Sequence, residues 1–294
     1  MKMTFPAPPG FAETPVWNGH HFQLGGKTFS VLAYETGTSN WSDELTQLHE
    51  DLSGEHHYID VASREHTIGT LQRHLRVPSP VIMDIGCSSG FMLRDLRKRM
   101  PGAQLVGADY VARPLEKLSL ALPDVPFLQF NLVTCPLPGN SADAVILLNV
   151  LEHIEDDFTA MQQTFRILKP GGIAVIELPA GPHLYDVYDK QLMHFRRYRM
   201  RGLLSSLRGT GFDILEKSHL GFFLYPAFAA VKLRNRRYLS DSEQRRREIV
   251  AADIQRSKSS PLLGAVMRLE GRLRRYVLYP FGIRCLVTCR KPLT

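Results

Sequence analysis

Val81-Ile82-Met83-Asp84-Ile85-Gly86-Cys87-Ser88-Ser89-Gly90 decides how the rest of this chain is read. A short run dominated by apolar, partly β-branched residues meets a glycine-bounded turn and then a helical pattern, which predicts a strand, a tight turn and a helix start. Residues with little or no side chain suit a backbone that passes close to a bound nucleoside, and the first N–H groups of the following helix are unpaired donors. Nineteen residues beyond Gly90, Leu105-Val106-Gly107-Ala108 runs into Asp109, an acid at the end of a second buried strand. A carboxylate there is placed to accept hydrogen bonds from both hydroxyls of a ribose. That spacing is the spacing of a nucleoside-binding βαβ unit.

The turn lacks the G-x-G-x-x-G of a dinucleotide site and the lysine of a P-loop. Asp84, just before the first glycine, repels a pyrophosphate but suits a cationic ligand or an amino group. Around it the alternation is regular. A strand ends at Ile85, followed by a helix at 90–100, a strand to Ala108, a helix at 114–121 and a strand at 126–131. Then come a strand at 144–148, a helix at 156–168 and strands at 173–178, 212–216 and 283–289. Such alternation predicts a parallel sheet covered on both faces.

With D-x-G-x-x-x-G at Asp84, Gly86 and Gly90, Asp109 beyond it, and Leu151-Glu152-His153-Ile154 after the fourth strand, residues 80 to 180 resemble the class I S-adenosylmethionine-dependent methyltransferases. Ser88 stands where that family usually has its middle glycine. The resemblance implies an α/β, Rossmann-like fold: a seven-stranded, mostly parallel sheet with helices on both faces, the last strand antiparallel between strands five and six. It implies S-adenosyl-L-methionine as cofactor and no metal. The cofactor residues would be Asp84, Gly86, Cys87, Ser88 and Gly90, Asp109 and Tyr110, Asn131 and Leu132, and Asn149 near the sulfonium. Asn131 replaces a usual acid, and its amide oxygen can accept the adenine amino hydrogen bond. Lys169-Pro170-Gly171-Gly172 matches the family's turn into strand five.

Beyond that strand, Asp186, Tyr188, Asp189 and His194-Phe195-Arg196-Arg197-Tyr198 resemble a D-x4-H-x-R-R-Y signature of a bacterial branch with many members in glycan and lipid-linked assembly. Their chemistry has its own content. His194, with Asp189, is the candidate catalytic pair, since a neutral imidazole can take a hydroxyl proton during methyl transfer. Arg196, Arg197 and Tyr198 are candidate acceptor-binding groups, because guanidinium forks fit phosphate or carboxylate. The competing reading is a basic face packed on the sheet edge. His153 is either a base or a packing residue. His57, beside His56, is assigned to the substrate or a lid, as the family's N-terminal helices cover the cofactor. Two adjacent histidines with no partner in register give no metal site.

The chain has 294 residues and a net charge of +7, and the charge is unevenly placed. Residues 181 to 294 hold 23 Lys/Arg against 9 Asp/Glu, leaving a net of −7 for residues 1 to 180. The C-terminal part is therefore expected to face an anionic partner. Four cysteines without metal or disulfide spacing suggest a reducing, cytoplasmic compartment. No signal peptide is expected, and the apolar run from Leu220 to Val231, interrupted by Pro226, is too short to span a bilayer.

Four regions are expected. Residues 1–77 form an N-terminal hairpin, turning at Gly25-Gly26, and a helical cap whose first helix starts near Asn40 with Ser42 as N-cap. Residues 78–219 form the core, 220–280 a basic amphipathic insertion, and 281–294 the last core strand. In the insertion, Leu262, Val266, Leu269, Leu273 and Val277 recur at helical spacing beside Arg268, Arg272 and Arg275. An anionic membrane surface, the core and a partner subunit all fit that stripe. The expected function is O-methylation of an anionic small-molecule, lipid-linked or glycan acceptor by an enzyme peripheral to the inner face of the membrane. The alternatives are an RNA methyltransferase using the basic C-terminal half and a catalytically silent nucleoside-binding regulator.

Overall fold

The computed structural model describes residues 3–35, 55–257, 260–274 and 276–293. The helix expected near Asn40, with Ser42, and the basic residue Arg275 lie outside the described residues.

The decisive decapeptide forms β5 (Val81–Ile85), buried at every position, and the turn leading into α2 (Phe91–Arg99). Alternate residues of β5 feed two cores. Val81, Met83 and Ile85 join Leu203, Leu204 and Leu207 of α6 (Met200–Gly209) on one face. Ile82 joins Leu93, Leu96, Leu115 and Leu118 on the other. Burial on both faces is why the strand reads as a continuous apolar run rather than an alternating one.

Parallel strands β6 (Gln104–Asp109) and β7 (Phe127–Gln129) extend the sheet on one side of β5, linked by α3 (Ala112–Ala121). On its other side β8 (Ala142–Leu148) and β9 (Leu168–Pro179) follow, linked by α4 (Asp157–Ile167). The chain reverses direction across the sheet between β5 and β8, which opens a crevice at their carboxyl ends. β9 absorbs the expected Pro-Gly-Gly turn: Gly171 and Gly172 exchange backbone hydrogen bonds with Lys291. β10 (Asp213–Leu220) and β11 (Arg284–Arg290) close that side, with β11 antiparallel between β9 and β10 as the resemblance implies.

The N-terminal residues are less separate than the sequence suggests. The hairpin turns at Gly25-Gly26 as expected, between β2 (Phe22–Leu24) and β3 (Lys27–Phe29), with β1 (Val16–Trp17) alongside. At Ser30, however, the chain leaves the hairpin. β4 (Val31–Ala33) pairs parallel with β7 and adds an eighth strand to the sheet edge. The run from Thr28 to Leu32 is thus two strands in two sheets.

α1 (Tyr58–His74) crosses the β9 side of the sheet and buries Ile59, Ser63, Ile68 and Leu71. Between β10 and β11 lie α7 (Tyr225–Asn235), α8 (Glu243–Ser257) and α9 (Pro261–Leu273). Pro226 opens α7 instead of breaking it, because a missing N–H costs nothing in a first turn. α9 buries Met267 and Glu270 and leaves Leu262, Leu269 and Leu273 exposed at 71%, 51% and 37%, so this part of its apolar stripe is on the surface. Among the described residues, no helix is long and apolar enough to cross a membrane.

Candidate functional site

The donor side is built by backbone. Gly86 and Cys87 N–H both donate to the Ala108 carbonyl, at 2.8 and 3.0 Å, tying the turn to the end of β6. Ser88 N–H donates to Asp109 Oδ2 at 3.0 Å and Val111 N–H to Oδ1 at 3.1 Å. Two backbone donors thus fix the carboxylate at the end of β6, where a ribose would lie.

Gly86 and Gly90 are needed for a different reason than ligand approach alone. Both have positive φ, and a Cβ would lie 2.5 Å from Val150 Cγ2 and from Leu118 Cδ2 respectively. Ser88, at φ +42°, occupies the same left-handed region without being glycine, a strained conformation costing about 1 kcal/mol or more. Its N–H bond to Asp109 offsets that cost.

Asp84 is 3% exposed, its Oδ2 is buried without a hydrogen-bond partner, and burial together with the Asp109 charge pushes it up to about 7. An orphaned buried carboxylate oxygen in this crevice fits a ligand that brings an ammonium. Tyr110 is half-buried at the mouth, its carbonyl accepting from Gln129 Nε2. Asn131 forms an Asx turn, its Oδ1 accepting from Val133 N–H at 2.9 Å, so only the second lone pair remains for an adenine amino group. Leu132 is buried beside it. Asn149, at φ +54°, follows β8 directly, its N–H donating to the Glu177 carbonyl.

The other half of the site is a network of side chains. Asp186 opens α5 (Val187–Gln191) in a capping box with Asp189. Asp189 is fully buried. Its Oδ1 accepts from His194 Nδ1 and Arg197 Nη1, both at 2.9 Å, and its Oδ2 from Lys232 Nζ at 3.1 Å and Asp186 N–H. Burial opposes ionisation, but Lys232, His194 and Arg197 hold Asp189 well below the usual carboxylate range. His194 is 8% exposed and burial pushes its pKa down, so it is neutral at physiological pH.

The proposed acceptor clamp divides. Arg197 is buried, donating to Asp189 and, through Nε, to the Ala180 carbonyl at 2.8 Å, with its guanidinium over the Phe228 ring. It holds the loop together and offers no fork to an acceptor. Arg196 and Tyr198 instead converge on Asp157 at the start of α4, at 3.0 and 2.7 Å. Tyr198 is an anchor for the strand end, and Arg196 lies on the outside. Lys232, which stands in a basic run with Arg234, Arg236 and Arg237, is 5% exposed and bound to both Asp186 and Asp189. His57 caps α1, 3.1 Å from Asp60, in a separate cluster. There Arg284 bridges Asp60 at 2.7 Å and Glu177 at 2.6 Å, and Ser63 Oγ donates to Glu177. Tyr188 stands close enough to Asp60, Arg284 and Asp189 to link the two clusters electrostatically.

Glu152, beside this network, and Glu177, in the Arg284 cluster, are buried acids that the sequence did not single out as site candidates. The 3-10 turn Leu151–His153 delivers Glu152 inward, where it is 1% exposed and both carboxylate oxygens lack a hydrogen-bond partner. Burial pushes it up to about 8. The His153 and His194 rings meet edge to face at 4.6 Å beside it. A signal for Glu177 existed: it is the single acid inside the apolar run Ile173 to Leu178. A cleft of about 610 Å³ lined by Trp17, Arg97 and Asp124 lies at the amino ends of β6 and β7, the opposite edge from this crevice, and carries none of these groups.

Residues 83–176 match the family described as methyltransferase domain. The demethylmenaquinone methyltransferase of Thermus thermophilus is 30% identical over 139 residues, covering 44% of this chain and 61% of its own length. The trans-aconitate 2-methyltransferase of an Azoarcus species is 31% identical over 121 residues, covering 40% and 46%. The chain thus spans less than two thirds of the length of these curated relatives. An S-adenosylmethionine-dependent methyltransferase from Mesorhizobium loti shares the fold with a TM-score of 0.52 at 16% identity, over 79% of this chain and 99% of that one. With Asp84, Gly86, Gly90 and Asp109 in place at the strand ends, residues 83–176 are a methyltransferase domain of the class I, S-adenosylmethionine-dependent family.

Proposed function

We propose that the chain transfers a methyl group from S-adenosylmethionine to an acceptor oxygen, with His194 taking the acceptor's proton and Asp189 holding the imidazole. Bound in the crevice, the cofactor supplies an electrophilic methyl on its sulfonium. The chain's own residues do the rest. Asp109 orients the ribose, Asp84 receives the ammonium, Asn131 meets the adenine and Asn149 lies along the methionyl end. His194 fits the base because Nδ1 is committed to Asp189, which leaves Nε2 as the basic nitrogen. That one hydrogen bond, between two buried side chains in the segment after β9, carries the reading.

The acceptor we favour is a small, lipid-linked or glycan molecule with an apolar portion. Tyr58, Leu224 and Phe228 pack with Ile59, Leu220 and Met267 on the α1 side of the site. The named relatives act, by their names, on a menaquinone precursor and on trans-aconitate. Anion recognition through the arginine pair is not part of the proposal, since Arg197 is consumed internally. We further propose that α9 docks on an anionic membrane through exposed Leu262, Leu269 and Leu273 beside exposed Arg268 and Arg272.

Incubation with methyl-labelled donor and a lysate split into aqueous and lipid extracts tests the reading. Label in a small molecule or lipid supports it, while label in RNA favours the nucleic-acid alternative. No transfer to any fraction by a protein that binds the donor would leave a silent nucleoside-binding protein.

A further inference from the structure

Glu152 is a buried acid with nothing bonded to it. Each of its carboxylate oxygens is shielded from water and lacks a hydrogen-bond partner, although the residue is only 1% exposed. Leaving such a group unsatisfied is destabilising, more so when it is charged, so a native fold that keeps one has a use for it. The groups next to it are not hydrocarbon. Glu152, His153 and His194 each bring one ligand atom, and these atoms all lie within 4.8 Å of one another.

We infer that Glu152, His153 and His194 bind one divalent transition-metal ion on the acceptor side of the donor pocket. Two imidazoles and one carboxylate are the ligand set of zinc and non-haem iron sites that keep positions open for substrate. Metal bonds of about 2.0–2.2 Å bring ligand atoms around one ion to within about 4.4 Å of each other, so small side-chain movements close the set. His194 is already prepared as a ligand. Its Nδ1 bonds to Asp189 at 2.9 Å, which fixes the tautomer with the Nε2 lone pair available, and a carboxylate behind a histidine strengthens it as a donor.

Charge points the same way. Once Glu152 gives up its proton as a ligand, Asp60, Glu152, Glu177, Asp186 and Asp189 around the cluster outnumber Arg197, Lys232 and Arg284 by two. A dication balances that deficit. The sequence conceals this site because 41 positions separate His153 from His194. They meet because Phe195 N–H donates to the Glu152 carbonyl at 2.8 Å, stitching the loop after α5 onto the 3-10 turn.

The site stands on these residues; its use rests on the methyl transfer proposed above. Held by these three side chains, a divalent ion would lower the pKa of an acceptor hydroxyl, whose proton would pass to water entering with the acceptor. The oxygen then forms its bond to the methyl carbon as the carbon–sulfur bond breaks, the electron pair leaving on sulfur. In that form of the reaction His194 is a ligand and the ion does the work of the base.

Calorimetric titration of chelator-stripped full-length chain with Zn²⁺, and with Mg²⁺ as a hard-cation control, tests the inference apart from catalysis. The expected result is one Zn²⁺ per chain, little response to Mg²⁺, and affinity reduced at least tenfold in Glu152→Gln and in His153→Gln. Far-UV circular dichroism and melting curves check that both variants are folded. Absence of stoichiometric Zn²⁺ binding overturns the inference, and so does equal affinity in wild type and both variants, which would put the ion on other histidines. A chain that binds no Zn²⁺ yet transfers methyl groups loses the metal and keeps the function. One that binds Zn²⁺ but transfers nothing keeps the metal and loses the function.

Discussion

The two halves of this crevice, proposed to hold the methyl donor and the acceptor, are held together differently. On the donor side Gly86, Cys87, Ser88 and Val111 act through backbone N–H groups on Ala108 and Asp109, within one contiguous βαβ stretch. On the acceptor side Asp189, His194 and Arg197 act through side chains, and Lys232 arrives from an insertion 43 residues away. A site made of backbone is encoded locally and tolerates side-chain change. A site made of buried charges depends on each member, because removing one strands its partners.

The largest effect expected is on chemistry. His194→Gln should lower the single-turnover methyl-transfer rate by about 10²- to 10⁴-fold while donor affinity stays nearly constant. An unchanged rate in the folded variant would remove His194 from the reaction, as ligand or as base.

Arg197→Ala comes next and separates the halves most sharply. It leaves Asp189 with one cation fewer and opens the Ala180 carbonyl, so urea unfolding should show a loss of about 3–5 kcal/mol. Had Arg197 been an acceptor clamp, stability would hold and only the acceptor's apparent binding constant would rise.

Asp109→Ala is confined to the donor half. It should weaken donor binding by about 1.5–3 kcal/mol for each charged hydrogen bond lost, with the acceptor network intact. Unchanged affinity in a folded protein contradicts the ribose role.

Asp84 gives a pH signature. Its folded pKa, about 7, lies above the 3.8 of the unfolded chain, so between those values the folded state holds a proton that the unfolded state has lost. Stability of the ligand-free protein from this residue therefore falls as pH rises from about 4 to 7 and is level above. Asp84→Asn should flatten that slope in melting curves. Identical slopes in variant and wild type would place the titration elsewhere.

What the sequence disclosed follows the same division. The strands and the glycine turn were legible because period and glycine placement are local signals, while the strand order came from the family resemblance. At Ser30 the local signal failed, since the alternation from Thr28 to Leu32 does not say that Val31 leaves the hairpin to pair with Phe127. The D-x4-H-x-R-R-Y segment disclosed which groups matter but not what each does. Arg196 and Arg197 are adjacent, yet one side chain reaches Asp157 and the other Asp189. Lys232 was hidden within a basic run whose other members Arg234 and Arg236 bond to Asp253 and to the His183 carbonyl. Glu152 was hidden because absence of a partner is visible only in three dimensions.

A crystal structure with S-adenosylhomocysteine bound tests the account most directly. The account predicts both ribose hydroxyls on Asp109, the ammonium against Asp84, and the sulfur beside Asn149 facing His194 across a gap wide enough for an acceptor. A nucleoside bound away from Asp109, or a His194 ring turned from the sulfur and beyond reach of any acceptor, would contradict it.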